Sequence, residues 1–379
     1  MTKKLYYEDA YIKNFTAEVL SVTECDGGFD VVLDKTAFFP EEGGQSADTG
    51  FIGTSRVLHA FEEDLTVHHI TDTHPGEGKV HCTLDFDARF DKMQCHTAEH
   101  LLCGIIHRLW GHNNVGFHLG DDEVTFDIDA VLTREQLDEV ERLANEAVFD
   151  NIRVTTEFPS SAELETLEYR SKLDLTEGVR LVRIGDVDTC ACCAPHVAFT
   201  GEIGMIKILD FMKHRGGTRI FMVAGSRALS DYRDRYTNIK RISALLCEPQ
   251  ATVAAGLEKY MSDTDALRLE LKNARAALAS SEARAVAETD GNAVVFLDGF
   301  SMDDLRQFSN EAIERVGGIL VALSGADGDY KYVITSRTVD VSGVVKQANA
   351  ALSGRGGGRG GMAQGTFLAA LDRIKEYFA

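Results

Sequence analysis

The sequence predicts an α+β fold in four successive parts: a small β-barrel over 1–90, an α+β block over 91–240, a helical, coiled-coil-like connector over 241–290 and an α/β domain over 291–379. Three observations carry that prediction. Apolar residues partly alternate through the first ninety positions, and at about Arg89 the period lengthens to that of a helix. Between Gly256 and Gly291 there is no glycine or proline, as an unbroken helix requires. After Gly291, strand-like apolar runs alternate with helix-like stretches, the pattern of a β/α unit.

Taken in order, Ala17–Cys25 and Phe29–Asp34 read as two strands joined by the turn Asp26-Gly27-Gly28. Pro40-Glu41-Glu42-Gly43-Gly44-Gln45 is a second turn-rich stretch. Phe90, Met93, His96, His100, Leu101 and Ile105 then fall at helical spacing through Arg108, and Leu137, Val140, Leu143, Ala144 and Val148 share one face of a helix over 134–149. Val179–Ile184 reads as a strand. In the connector, Leu257, Tyr260, Leu267, Leu271 and Ala274 form an imperfect heptad over 252–288, either a coiled coil that pairs two chains or a solvated spacer helix. Strands are expected at 293–297, 319–323 and 332–335, a helix at 368–377 and a glycine-rich loop at 354–365.

Bulk properties narrow the function. The 379 residues suffice for two or three domains. No apolar run approaches the roughly 20 residues of a membrane helix, and the first residues lack the apolar core of a signal peptide, so a cytoplasmic protein without a membrane partner is expected. Eight cysteines in so long a chain favour free thiols and metal ligands over a disulfide framework. The formal charge of −21 argues against a general nucleic-acid coat protein, so any RNA contact must use a local basic patch.

The sharpest chemical signal is His96-Thr97-Ala98-Glu99-His100 together with Cys192-Cys193-Ala194-Pro195-His196. Residues four apart on a helix face the same way, so His96 and His100 can close on one ion, with Cys192 and His196 closing from the other side. Three imidazoles and a thiolate suit tetrahedral zinc; by spacing alone, Cys190 or Cys193 could replace Cys192. Four protein ligands usually describe a structural zinc, whereas a catalytic one keeps a position open. His-x-x-Glu-His is also the string of inverted zinc peptidases, but those recruit a later glutamate where this chain offers a Cys/His pair.

In this order, the two pairs resemble the AlaX-type editing proteins and the editing domain of alanyl-tRNA synthetase. Asp34–Gly50, with Thr36, Gly43, Gly44 and Gln45, looks like that family's strand and Gly-Gly-Gln loop. Val115–Gly120, Val124–Asp127, Val182–Asp186 and Thr200–Gly204 match its other short segments, and the glycine-rich stretch with Met362-Ala363-Gln364-Gly365 resembles the synthetase C-terminal domain, found also behind phosphoesterases of the DHH type. Departures are Glu42 in place of a glycine, and Ala194-Pro195 where the family often has Gly-Thr; a proline before the histidine is similar to threonyl-tRNA synthetase editing domains. Because residue 1 already lies in the editing region, a free-standing protein of the long AlaX type is expected.

The resemblance implies a zinc-dependent deacylase acting in trans on tRNA(Ala) carrying a wrong amino acid, chiefly serine and also glycine. The alternatives are threonyl-type editing of Ser-tRNA(Thr) and a non-catalytic zinc-stabilised tRNA-binding module. A small alanine pocket rejects an added hydroxyl poorly, which is why a second, hydrolytic site is needed. Thr36 matches the threonine that meets the serine hydroxyl. Glu99 is a candidate base, Gln45 a candidate for orienting the ester, and Gly43 and Gly44 would allow close backbone approach. For tRNA phosphates the candidates are Arg215 and Arg219, with Lys213 and His214 nearby, and Arg355 and Arg359 in the C-terminal domain. A homodimer through 252–288 and the C-terminal domain is expected.

Overall fold

The computed structural model describes residues 1–120, 124–171 and 178–379. They form two compact units, Met1–Asn238 and Ile239–Ala379.

The first unit opens with six antiparallel strands, β1 (Asn14–Cys25), β2 (Gly28–Leu33), β3 (Gly50–Ile52), β4 (Ser55–Glu63), β5 (Thr66–Thr71) and β6 (Gly78–Leu84). They close on themselves in the order β1-β2-β5-β4-β3-β6. Alternate residues of these strands turn inward, and Val31, Leu33, Ile52, Val57 and Cys82 are fully buried. Between β2 and β3 the chain leaves the barrel as an irregular excursion containing Phe38 to Gln45.

Next comes α1 (Phe86–Trp110), whose middle is buried on all sides from Met93 to Ile106. It ends where Gly111 takes the left-handed conformation, φ 73°. The four strands β7 (Asn114–Leu119), β8 (Val124–Ile128), β12 (Ile206–His214) and β13 (Gly217–Ala224) form one antiparallel sheet in the order β12-β13-β8-β7. The helix α2 (Arg134–Phe149) starts with a capping box between Thr133 and Gln136 and lays Leu137, Val140 and Ala144 against α1 and this sheet. A smaller sheet of β9 (Val154–Glu157), β10 (Leu181–Ile184) and β11 (Asp188–Ala191) presses β11 onto α1. That contact depends on Gly104, because a Cβ there would stand 2.6 Å from the Asp188 Cβ.

The helix α3 (Gly225–Leu246) follows, and the sequence pattern did not announce it; Ala228 is its one buried residue. In the second unit, α4 (Val253–Ala285) is a single long helix, exposed along most of its length, with Val253, Ala279 and Ala283 buried. A five-stranded sheet, β14 (Ala293–Phe296), β15 (Ile319–Ala326), β16 (Asp329–Ser336), β17 (Arg355–Arg359) and β18 (Met362–Phe367), has the order β14-β15-β16-β18-β17. It packs with α5 (Met302–Ala312), α6 (Val341–Ala351) and α7 (Leu371–Phe378). The stretch expected as a glycine-rich loop is instead the hairpin β17–β18. Its glycines let the backbones close up, since a Cβ on Gly358 would lie 2.2 Å from the Met362 carbonyl oxygen.

Candidate metal centre and its cavity

Two segments meet in the first unit. α1 supplies His96 and His100 one turn apart, and the irregular loop after β11 supplies Cys192 and His196. Their ligand atoms all lie within 4.8 Å of one another, a group able to hold a metal ion. The Cys192 Sγ stands 3.6 Å from the His96 Nε2 and 3.3 Å from the His196 Nε2. Metal bonds of 2.0–2.1 Å to nitrogen and 2.3 Å to sulfur give a tetrahedral N–S edge of about 3.6 Å. The donor set therefore fits zinc in kind and in spacing.

Each imidazole is oriented through its other nitrogen. His96 Nδ1 donates to Gln45 Oε1 at 2.8 Å. His100 Nδ1 donates to the Asp188 carboxylate at 3.0 Å. The Thr97 hydroxyl donates to the Met93 carbonyl at 2.7 Å, so toward His196 Nδ1, 3.0 Å away, it is the acceptor. All three Nε2 lone pairs are thereby directed into the group, the outer-shell arrangement common to metal-bound histidines. Burial by itself would push the Cys192 thiol up, but the imidazoles of His96, His196 and His100 around the sulfur outweigh it and hold the thiol well below its usual range. Burial pushes the His196 imidazole down to about 3. Thiolate and neutral imidazole are the forms that ligate.

Outside this group, Asp188 takes two bonds from Arg170, Nε at 2.7 Å and Nη2 at 2.8 Å. Glu99 accepts from the Asn114 amide and from Cys103 Sγ, and its other oxygen lies 4.0 Å from His100 Nε2. His96, Glu99, His100 and Cys192 border a cavity of about 480 Å³, whose wall also includes Tyr7, Gly43, Asn114, Arg170, Arg180 and Cys193.

Several expected residues fall elsewhere. Thr36, expected to meet the substrate, is fully buried beside the barrel, on a short strand paired with Lys3–Lys4; its hydroxyl bonds His69 Nε2 at 2.9 Å and accepts from the Phe38 N–H. Gln45 is fully buried behind His96 and is not part of the cavity wall. Gly43 does form wall, and Gly44, φ 87°, lets the loop lie against the Phe117 carbonyl. Of the alternative thiols, Cys193 stands outside the four-residue group, while Cys190 groups with His100 and Asp188. Arg215 is exposed at the β12–β13 turn, with φ 47°. Arg219 is held bidentate by Asp127, at 2.7 and 2.8 Å. Arg355 and Arg359 are exposed on β17. The sequence reading missed Thr97, Asp188, Arg170, Asn114 and Arg180; the nearest signals were Thr97 lying between the two histidines and Asp188 four residues before Cys192.

Comparison with known proteins finds relatives along the chain. Residues 179–221 match the family described as the threonyl and alanyl tRNA synthetase second additional domain, and 290–379 match the DHHA1 domain. The alanyl-tRNA editing protein AlaX-L of Pyrococcus horikoshii is 25% identical over 99% of this chain and 96% of its own length. The alanine–tRNA ligase of Halobacterium salinarum is 34% identical over 86% of this chain, and that of Pyrococcus abyssi 31% over 96%. This chain spans 38% and 42% of those ligases. The C-Ala domain of Aquifex aeolicus alanyl-tRNA synthetase is similar over 24% of this chain and 90% of that domain, at 23% identity and a TM-score of 0.22, too low to bear on the fold. Along nearly its whole length, then, the chain resembles the long AlaX-type alanyl-tRNA editing protein, and with it the editing and C-terminal parts of alanine–tRNA ligases.

Proposed function

We propose that this protein hydrolyses the ester of mischarged tRNA(Ala), chiefly Ser-tRNA(Ala) and also Gly-tRNA(Ala), at a zinc ion held by His96, His100, Cys192 and His196. The observation that carries this reading is the convergence of three oriented Nε2 atoms and one thiolate on a single point beside a cavity. When bound, zinc would supply a Lewis acid next to the ester carbonyl.

The chain's own residues do the rest. Glu99, held by Asn114 and Cys103 at the cavity edge, would take a proton from the water that attacks the ester. Gln45 acts through His96, fixing its tautomer. Gly43 forms wall without a side chain, which leaves room for a small amino acid. Arg215, Arg355 and Arg359, exposed in a chain of net charge −21, are the candidates for tRNA phosphates. The exposed Leu257, Tyr260, Leu267 and Leu271 support α4 as a homodimer contact. The cytoplasm is the expected place of work. Among the described residues, no helix is long and apolar enough to cross a membrane.

The test is hydrolysis of Ser-tRNA(Ala), Gly-tRNA(Ala), Ala-tRNA(Ala) and Ser-tRNA(Thr) by the zinc-loaded protein and by Cys192→Ala. Loss of serine from tRNA(Ala), spared alanine and an inactive variant are expected. A preference for Ser-tRNA(Thr) would move the reading to the threonyl type, which Pro195 favours. No hydrolysis of any ester, with zinc bound and the fold intact, would leave a zinc-stabilised tRNA-binding module.

A further inference from the structure

One charge in the cavity wall lacks an answer. Arg180 is 7% exposed, and its guanidinium keeps its proton in any protein setting. Nη1 donates to the Cys192 and Ala194 carbonyls at 2.8 and 2.9 Å, and the group lies over the Tyr7 ring, 5.2 Å from its centre. Nε is buried with no acceptor at all, and among the described residues no carboxylate stands within ion-pair distance. The other cations of the same wall are matched: Arg170 by Asp188, and Lys4 by Glu62 at 2.6 Å. Of the acids, Glu62 is thus engaged, and Glu42 makes no ion pair with Arg180. The metal group offers nothing spare, because one thiolate on a divalent ion leaves net positive charge. A buried charge without a partner is costly unless an anion arrives with the ligand.

We propose that Arg180, backed by Tyr7, is the anchor for the phosphate of the substrate's terminal nucleotide. This rests on the deacylase reading and deepens it. An aminoacyl ester has no free carboxylate, and its α-amino group is cationic. The anion nearest the scissile bond is therefore the phosphodiester on the 5′ side of the terminal ribose. The guanidinium fork, of which only Nη1 is engaged by backbone carbonyls, matches phosphate oxygens. Arg180 is a substrate-binding residue in this account; it touches no reacting atom.

The experiment compares two small substrates, the seryl ester of adenosine 5′-monophosphate and the seryl ester of adenosine, with the zinc-loaded full chain. The wild type is expected to prefer the phosphorylated ester by about 10- to 100-fold in kcat/KM, the range of one charge-assisted hydrogen bond. In Arg180→Met that ratio falls to near one whatever the absolute rates, and Arg180→Lys lies between. If Arg180 merely props up the 192–194 loop, both esters slow by the same factor and the ratio persists, which overturns the proposal. Zinc content and melting curves of both variants show whether the site is intact. Calorimetry adds a readout free of turnover: adenosine 5′-monophosphate should bind the wild type more tightly than adenosine does, and Arg180→Met should erase the difference. Wild type that hydrolyses neither ester yet shows the Arg180-dependent binding keeps the anion site and loses the deacylase. Equal hydrolysis of both esters with no difference in binding does the reverse.

Discussion

Replacing Asp188 by asparagine separates the two jobs of one carboxylate. Asp188 is 6% exposed and accepts from His100 Nδ1 at 3.0 Å and from Arg170 at 2.7 and 2.8 Å. The amide keeps the shape but loses the charge, and it presents two N–H donors where donors already point in. His100 then loses its anionic acceptor, a change that typically costs about 10- to 100-fold in metal affinity. Arg170, whose side chain is 10% exposed, is left as an unpaired buried cation, which costs about 3–5 kcal/mol of folding stability. Adding Arg170→Met removes the orphan charge, so the double variant should regain most of the stability while zinc binding stays weak. Zinc affinity is read by competition with a chromophoric chelator, and stability by urea unfolding. Zinc affinity in Asp188→Asn within twofold of wild type, in protein shown to be folded, would refute the argument that this carboxylate governs His100.

Other perturbations test the remaining geometry. Cys192→Ser should abolish stoichiometric zinc, whereas Cys193→Ser should keep it, because the Cys193 sulfur stands outside the converging group; atomic absorption on purified protein decides between them. Gly104→Ala should lower both stability and zinc affinity by driving β11 away from α1, and a variant as stable as wild type would show that the 2.6 Å approach to Asp188 is relaxed elsewhere. Burial holds His69 at about 4 against its ordinary 6.5. A depressed imidazole gives stability that is present above the unfolded value and lost as pH falls toward the folded one. Between pH 6.5 and 4 the loss amounts to about 3 kcal/mol from this group. Unfolding measured across that range should show a shallower acid slope in His69→Gln; an unchanged slope would remove His69 from the acid response.

The four converging side chains were legible in the sequence, but for two different physical reasons. His96 and His100 obey helical spacing on α1, as their separation says. Cys192 and His196 have the same separation without a helix; their loop is shaped by Pro195, by the Thr97 hydroxyl bonded to His196 and to the Val197 N–H, and by Arg180 on two carbonyls. Orientation was not legible, because Gln45, Asp188 and Thr97 act across tertiary contacts that no local pattern encodes. Thr36 shows the opposite limit: its segment matches a binding loop, yet its hydroxyl is turned toward the buried His69 of the barrel. α3 escaped notice because periodicity needs an apolar stripe, and Ala228 is its one buried residue. The glycines of 354–358 read as loop by composition, while the tight approach of β18 makes them strand.

The Thr97 hydroxyl joins segments 99 positions apart in the chain, and the thiolate lies 96 positions after the first histidine. At synthesis rates of 5–20 residues per second, roughly 5–20 s pass between the emergence of the two halves. During that interval α1 carries two histidines, a serviceable grip for a stray ion, with neither the thiolate nor the third imidazole to complete the set. If the group holds a metal ion, its full donor set would come together only late in translation, when the loop after β11 folds back and brings Cys192 and His196 to the two histidines of α1.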